Sequence, residues 1–148
     1  MIHEINQVIQ HHLKQLSKEI SAYRDEANLW LLQGDISNTA GNLCLHLCGN
    51  LQHFIGAVLG NTGYVRNRDD EFNLKNVPRK ELLAEIERTA TAVEQTFDKL
   101  DVQILAENYP IEVFGKPMTT GYFLVHLAAH LGYHLGQINY HRRLLDKA

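Results

Sequence analysis

Apolar residues recur every three or four positions in the first part of the chain, which is the spacing of one face of an α-helix. The series begins after Ile5 and consists of Ile9, Leu13, Leu16, Ile20 and Tyr23. It predicts a first amphipathic helix that ends soon after Tyr23. The residues from 30 to 34 are ambiguous.

A long apolar run after Asn38 predicts a second helix. Asp35, Ser37 and Asn38 are residue types that cap helices, so we expect the helix to begin there and to extend to about Gly60. The next segment, residues 61–77, combines glycine, asparagines and charges of both signs. It is expected to be a loop of about 16 residues that crosses an end of the bundle or covers a pocket. We interpret its charged run, RNRDDEF, as solvated loop surface.

A third helix is predicted to start at Pro78, because proline is favoured in the first turn of a helix. Its apolar seam consists of Leu82, Ile86, Val93, Phe97 and Leu100. Prolines and a glycine between residues 110 and 117 then exclude a continuous helix and favour a short extended or hairpin-like segment. Thr119 or Thr120 can cap a fourth helix that extends to the C-terminus. The pattern predicts an all-α protein of four helices, with long connections between helices two and three and between helices three and four.

Composition and charge indicate one ordinary globular domain covering residues 1–148. The chain is 45% hydrophobic and 21% charged. Its formal net charge is -3, without a clustered basic face, which argues against a nucleic-acid partner. The first residues lack the pattern of a signal peptide, and no stretch reaches the roughly 18 apolar residues of a membrane span. We therefore expect a cytoplasmic protein with no membrane partner.

The unusual feature of the composition is nine histidines. His126, His130 and His134 follow one another at intervals of four residues in the predicted fourth helix. At about 100° per residue they lie within about 80° of one another, and Tyr133 and Gln137 share the same stripe. Histidines four residues apart can bind one transition-metal ion through their ring nitrogens. Either neighbouring pair in the row could do so.

A catalytic metal usually has three protein ligands, so a third ligand is expected from another helix. His46 in the second helix is the candidate, and Asn50 and His53 lie on its face. Cys44 and Cys48 lie about 160 to 200° away from His46 around the helix, so they cannot bind the same ion. We interpret the cysteines as small core residues.

The segment LHLCGNL in helix two and the HxxxHxxxH row that merges into HLGQI resemble the DinB/YfiT-like family of metal-binding four-helix bundles. The resemblance covers essentially the whole chain and implies a metal triad of His46, His130 and His134. It implies that His126 is a pocket position rather than a ligand. We expect the remaining pocket or ligand-supporting residues among Asn50, His53, Tyr133 and Gln137.

The same resemblance implies a bundle of DinB type with up-down-down-up topology, and it implies a homodimer. The better understood relatives are transferases and isomerases that use bacillithiol, mycothiol or glutathione. The resemblance therefore favours a small-molecule substrate and a low-molecular-weight thiol as partners.

Three neutral imidazoles suit zinc, nickel, iron or copper, and we expect one divalent ion, with zinc or nickel first. The carboxylate pattern of di-iron bundles and the HExxH motif of metalloproteases do not accompany these histidines. The leading hypothesis is a metal-dependent enzyme of the thiol S-transferase kind, in which the ion activates a thiol against a small electrophile. The alternatives are a hydrolase that activates water and a non-catalytic protein that binds metal or ligand. No general base can be named from the sequence.

Overall fold

The computed structural model describes residues 1–147, and these residues form an all-helical protein without a named β-strand. The α-helices are α1 (Ile2–Ala22), α2 (Ala40–Leu51), α3 (Arg68–Asn73), α4 (Arg79–Lys99) and α5 (Thr120–Leu145). Two 3-10 helices lie at Glu26–Trp30 and Val102–Ala106, and a π-helical segment at Gln52–Ala57 continues α2.

The four long helices enclose one core, because α1 and α2 each pack against both α4 and α5. The apolar faces predicted from the sequence form this core. In α1 the residues Ile9, Leu13, Leu16 and Ile20 are fully buried or nearly so. The predicted seam of α4 is buried up to Phe97. Its last member, Leu100, is partly exposed because α4 ends at Lys99 and Leu100 lies just beyond the helix. The prediction of an all-α fold with four long helices is confirmed.

The start of α2 differs from the prediction. The cap is Thr39, whose Oγ1 accepts a hydrogen bond from the backbone N–H of Asn42 at 3.0 Å. The expected caps Asp35, Ser37 and Asn38 precede it in a non-helical segment. All four residues are cap-forming types, and the one adjacent to the buried Ala40 begins the helix.

The segment between α2 and α4 is more ordered than the loop that the sequence predicts, because it contains α3. Asn67 caps this short helix by accepting a hydrogen bond from the N–H of Asp70 at 3.2 Å. The Nδ2 of Asn42 in α2 donates to the carbonyl oxygens of Glu71 at 2.9 Å and Leu74 at 2.8 Å. The interpretation of the charged run as solvated surface is wrong for Glu71, which is 5% exposed.

The segment between α4 and α5 is hairpin-like, as predicted. The N–H of Tyr109 donates to the carbonyl of Met118 at 2.9 Å, and the N–H of Thr120 donates to the carbonyl of Glu107 at 2.8 Å. Thr119 then caps α5 through the N–H of Tyr122 at 3.1 Å. This segment places Tyr109 against Phe123 in the first turn of α5, and its hydroxyl donates to the carbonyl of Phe54.

Two further expectations concern single elements. Cys44 and Cys48 are free thiols with no exposed surface, which confirms that they are core residues. Within residues 1–147, no helix combines the length and the apolar character that crossing a lipid bilayer requires.

Candidate metal centre

The structure brings His46 of α2 together with His130 and His134 of α5. The Nε2 atoms of His46 and His130 are 3.3 Å apart. The ring of His134 has its centroid 5.4 Å from that of His46 and 4.5 Å from that of His130. One nitrogen from each ring lies within 4.8 Å of the other two. The three imidazoles therefore converge on one point between the two helices.

The separation of one nitrogen pair has the value expected in a transition-metal site. Zinc–nitrogen bonds of about 2.0–2.1 Å in a tetrahedral site place the ligand nitrogens about 3.3–3.4 Å apart. The separation of 3.3 Å between His46 and His130 has this value. Three imidazoles at one point are also the donor set that such ions accept.

Hydrogen bonds hold two of the three rings in the tautomer that a metal ion requires. The Nδ1–H of His46 donates to Oε1 of Glu71 at 3.0 Å, and the Nδ1–H of His134 donates to Oε1 of Gln137 at 2.7 Å. Each ring therefore presents the lone pair of Nε2 to the common point. The Nδ1 of His130 is buried and has no hydrogen-bond partner among the described residues.

Glu71 is tied to the site by a second partner, Arg66. The guanidinium of Arg66 donates to both carboxylate oxygens of Glu71, at 2.8 Å from Nε and 2.9 Å from Nη2. Burial raises the pKa of Glu71, but the hydrogen bonds from His46 and Arg66 and the charge of Arg66 outweigh burial and leave this pKa below its ordinary value. Glu71 is therefore an ionised acceptor at neutral pH.

Gly49 makes room for this carboxylate on the surface of α2. A Cβ atom at position 49 would overlap Oε2 of Glu71 and would lie 2.7 Å from its carboxylate carbon. Glycine in the middle of a helix is unfavourable by about 1 kcal/mol relative to alanine. The close approach of Glu71 explains why this position of α2 has no side chain.

His130 and His134 are neutral at physiological pH. Burial, followed by the neighbouring histidines and Arg66, lowers the pKa of His130 to about 4. Burial also lowers the pKa of His134, although the hydrogen bond to Gln137 opposes this. Neutral imidazole is the form that binds metal, so protons do not compete for these nitrogens near pH 7.

Comparison with known proteins gives a family match over the entire chain. The family described as "Protein of unknown function (DUF1572)" matches residues 1–148. The chain belongs to this family. No curated protein matches the chain. The description of the DUF1572 family names no activity, so the function of this DUF1572 protein is argued from its site.

The other predicted site residues of this DUF1572 protein lie at different distances from the centre. His126 stacks parallel to His130, with 6.3 Å between the ring centroids. Asn50 is buried one turn beyond His46. His53 packs edge-on against the ring of Phe54, 4.7 Å away. Tyr133 is 66% exposed, and its ring touches the edge of the His134 ring.

A cavity of about 330 Å³ opens beside the three histidines, and we call it the histidine cavity. Its polar lining residues are His46, Asn50, Arg66, Arg68, His126 and His130. Its apolar wall includes Phe54, Phe114 and Phe123. The π-helical segment that contains Phe54 adjoins this wall, and such segments are frequent at functional sites. A larger cavity of about 400 Å³ is lined by Gln137 and His141 but by none of the three converging histidines.

A histidine near the end of the last helix, such as His141, is expected at the surface, and the structure corrects this expectation. His141 is 4% exposed and lies two turns beyond His134. Its Nδ1 accepts from the hydroxyl of Tyr23 at 2.7 Å, and its Nε2–H donates to the carbonyl of Leu31 at 2.9 Å. The end of α5 packs against the end of α1, so the stripe becomes interior there.

Glu71, Arg66 and Gly49 are the site residues that sequence reasoning missed. Glu71 and Arg66 lie in the charged run RNRDDEF, whose composition predicts solvated surface. One signal was available, since Gly49 lies on the same polar face of helix two as His46. A small residue on that face indicates the close approach of another group.

Proposed function

We propose that this DUF1572 protein is a metal-dependent enzyme in which His46, His130 and His134 hold one divalent transition-metal ion. Zinc and nickel are the first candidates, and iron and copper are also compatible with three imidazoles. The reaction proposed is the transfer of a low-molecular-weight thiol to a small electrophile. The observation that carries the proposal is the convergence of three imidazoles, two of which have their Nδ1–H groups already engaged.

When bound, the ion supplies a Lewis acid that lowers the pKa of a thiol or a water towards neutrality. The protein residues supply the setting. Glu71 fixes the orientation of His46, and Gln137 fixes that of His134. The neutral imidazoles add no negative charge, so the full charge of the ion acts on the reacting group. The phenylalanines of the histidine cavity form an apolar wall beside the centre, which lowers the local dielectric constant and strengthens this electrostatic effect.

The finer parts of the proposal rest on the resemblance to DinB/YfiT-like proteins. They are the up-down-down-up topology, the homodimer and the choice of a thiol over water. The packing of α1 and α2 against both α4 and α5 is compatible with such a bundle. A cytoplasmic location and a small-molecule substrate remain predictions.

Hydrolysis is the second candidate function, and His126 favours it. This imidazole lines the histidine cavity, with its ring centroid 6.3 Å from that of His130, and it is the histidine of that cavity outside the converging three, so we take it as the candidate proton acceptor. The sequence alone offered no general base. A thiol reaction does not need this group, so replacing His126 separates the two functions.

Metal analysis of tag-free protein tests the centre first. We expect about one equivalent of a divalent transition metal in the wild type and its loss in His130→Ala. His126→Ala is the matched control, because it removes the neighbouring imidazole of the row and should retain the metal. Wild-type protein that binds no stoichiometric metal would refute the assignment.

Cobalt substitution tests the chemistry. Addition of a small thiol to the cobalt protein should produce a thiolate-to-cobalt absorption band, and His126→Ala should retain it. An ion that exchanges no ligand with thiol or water would contradict both enzymatic proposals and would favour a non-catalytic metal-binding protein. Activity towards small esters that depends on His126, without a thiolate band, would favour hydrolysis.

A further inference from the structure

Arg68 is the cation of the histidine cavity that has no carboxylate partner among residues 1–147. Its guanidinium lies over the ring of Phe72, 5.2 Å from the centroid, and Phe72 packs against His46 with 4.9 Å between rings. Arg66 differs, because Glu71 already accepts two of its hydrogen bonds. In the described part of the chain, no aspartate or glutamate lines the cavity. Arg68 is exposed, so its guanidinium lies at the mouth of the cavity and is free to pair with an incoming anion.

Asn50 contributes an unused hydrogen-bond acceptor to the same cavity. Its side chain is 7% exposed, and no group of the described residues donates to its Oδ1. A buried acceptor without a partner costs about 1–3 kcal/mol. A ligand that brings an N–H or O–H group to this oxygen would remove that cost.

We propose that Arg68 and Asn50 form a binding site for a small carboxylate that also carries an N–H or O–H donor. The carboxylate pairs with the guanidinium of Arg68, and the donor group binds Oδ1 of Asn50. Two features make this class of ligand fit better than a neutral or cationic molecule. The charge of the cavity favours an anion, and the phenylalanine wall reduces screening by water.

The site adjoins the candidate metal centre, because His46 and His130 line the same cavity. A ligand held by Arg68 and Asn50 therefore shares the cavity with two of the three converging histidines. Arg68 and Glu71 both belong to α3, so one short helix carries the contact with the ligand and the contact that orients His46. That this ligand is a substrate of the centre rests on the proposed function, whereas its binding does not.

Nuclear magnetic resonance of the full-length, metal-free chain tests the binding site itself. The probes are N-acetylglycine, which has a carboxylate and an N–H, propionate, which has the carboxylate alone, and N-methylacetamide, which has the N–H alone. We expect N-acetylglycine to bind tightest and to shift the side-chain amide signals of Asn50. Equal affinity for the three probes, or shifts confined to other residues, would overturn the proposal.

Variants separate the two contacts. Arg68→Gln should weaken N-acetylglycine about tenfold, as expected for the loss of one charge-assisted contact. Asn50→Ala should reduce the affinity for N-acetylglycine to that for propionate, and it should fold because its side chain has no partner for Oδ1 to lose. Arg88→Gln is the control for charge, since this exposed arginine on α4 pairs with Glu85. An equal loss in Arg88→Gln would refute a specific role for Arg68.

A second arm distinguishes this inference from the proposed function. Cobalt-substituted protein should bind N-acetylcysteine about tenfold tighter than 2-mercaptoethanol, and Arg68→Gln should remove the preference. If the cobalt ion accepts neither thiol while N-acetylglycine still binds the metal-free chain, the proposed function fails and the carboxylate site stands. If both thiols bind equally well and N-acetylglycine does not bind, the carboxylate site fails and the proposed function stands.

Discussion

Replacement of Glu71 by glutamine should separate the affinity for metal from the position of the histidines. The carboxylate of Glu71 accepts from His46 at 3.0 Å and from Arg66 at 2.8 and 2.9 Å. Glutamine has nearly the same shape, and its carbonyl oxygen can replace Oε1, which accepts from both His46 and Nη2 of Arg66. The amide group then replaces Oε2 and faces the Nε–H of Arg66, so that contact is lost. The acceptor for His46 also loses its negative charge, so His46 is held less firmly in its orientation and tautomer.

The expected magnitude follows from the contact that is lost. A hydrogen bond to a charged group contributes about 1.5–3 kcal/mol, and loss of a carboxylate that supports a metal-binding histidine typically costs 10- to 100-fold in affinity. These two figures agree, because tenfold corresponds to about 1.4 kcal/mol. The side chain of Arg66 is 11% exposed and also loses its counter-charge. We therefore expect the metal-free variant to be less stable by about 3 kcal/mol as well.

The assay has two parts, so that the two effects are measured independently. Zinc affinity is measured by competition with a chelating dye on folded protein, and stability of the metal-free protein is measured by urea denaturation. Asp70→Asn is the matched control, since Asp70 is an exposed acid on the same short helix. We expect the zinc affinity of Glu71→Gln to be 10- to 100-fold below that of the wild type. A folded variant whose zinc affinity lies within about threefold of the wild-type value would show that Glu71 does not orient His46.

The remaining predictions concern single side chains elsewhere in the bundle. Gly49→Ala should displace the carboxylate of Glu71 and weaken zinc binding about tenfold or more. Gly136→Ala is the control, because its Cβ would contact nothing within 4 Å; it should leave zinc binding unchanged and stabilise the fold by about 0.5–1 kcal/mol. Equal zinc affinity in the two variants would contradict the role of Gly49. Cys44 and Cys48 should react with a thiol reagent only after denaturation, because both are buried and because the adjacent thiol of Cys48, together with burial, raises the pKa of Cys44. Rapid labelling of native protein would refute this. Burial lowers the pKa of His141 below the value of about 6.5 that it has in an unfolded chain. On acidification the unfolded state therefore binds a proton before the folded state does. The free energy of unfolding should decrease as the pH falls below about 6.5. Urea denaturation of metal-free protein between about pH 7.5 and pH 5 measures this loss, and His141→Gln should make it shallower.

The helices and their histidines could be predicted from the sequence because both depend on local periodicity. Buried apolar residues recur with the helical period, and the intervals of four place His130 and His134 on one face of α5. Pairing them with His46 needs a further assumption, namely that the predicted helices two and four, which are α2 and α5 of the structure, are neighbours. The resemblance to DinB/YfiT-like proteins provided that assumption, and the contact between α2 and α5 agrees with it.

Glu71 could not be predicted because its position depends on contacts between distant parts of the chain. The run RNRDDEF has the composition of solvated surface, and its neighbours Asp69 and Asp70 are indeed exposed. The carboxylate of Glu71 is buried because Asn42 holds α3 against α2 and because Gly49 leaves space there. None of these contacts produces a periodic pattern of residues in the sequence. The same limit explains His141, whose burial depends on where α1 ends.

The charges around the centre explain why a negatively charged reactant fits it. Within residues 1–147, Glu71 carries the one carboxylate that contacts a converging histidine, and its charge is balanced by Arg66 at 2.8 Å. The imidazoles of His130 and His134 are neutral near pH 7, since burial lowers the pKa of each. A divalent ion at their nitrogens would thus keep its entire charge. Together with the guanidinium of Arg68, this charge would favour thiolate over thiol and an anionic ligand over a neutral one, so the proposed activation of a reactant and its proposed selection have the same electrostatic cause.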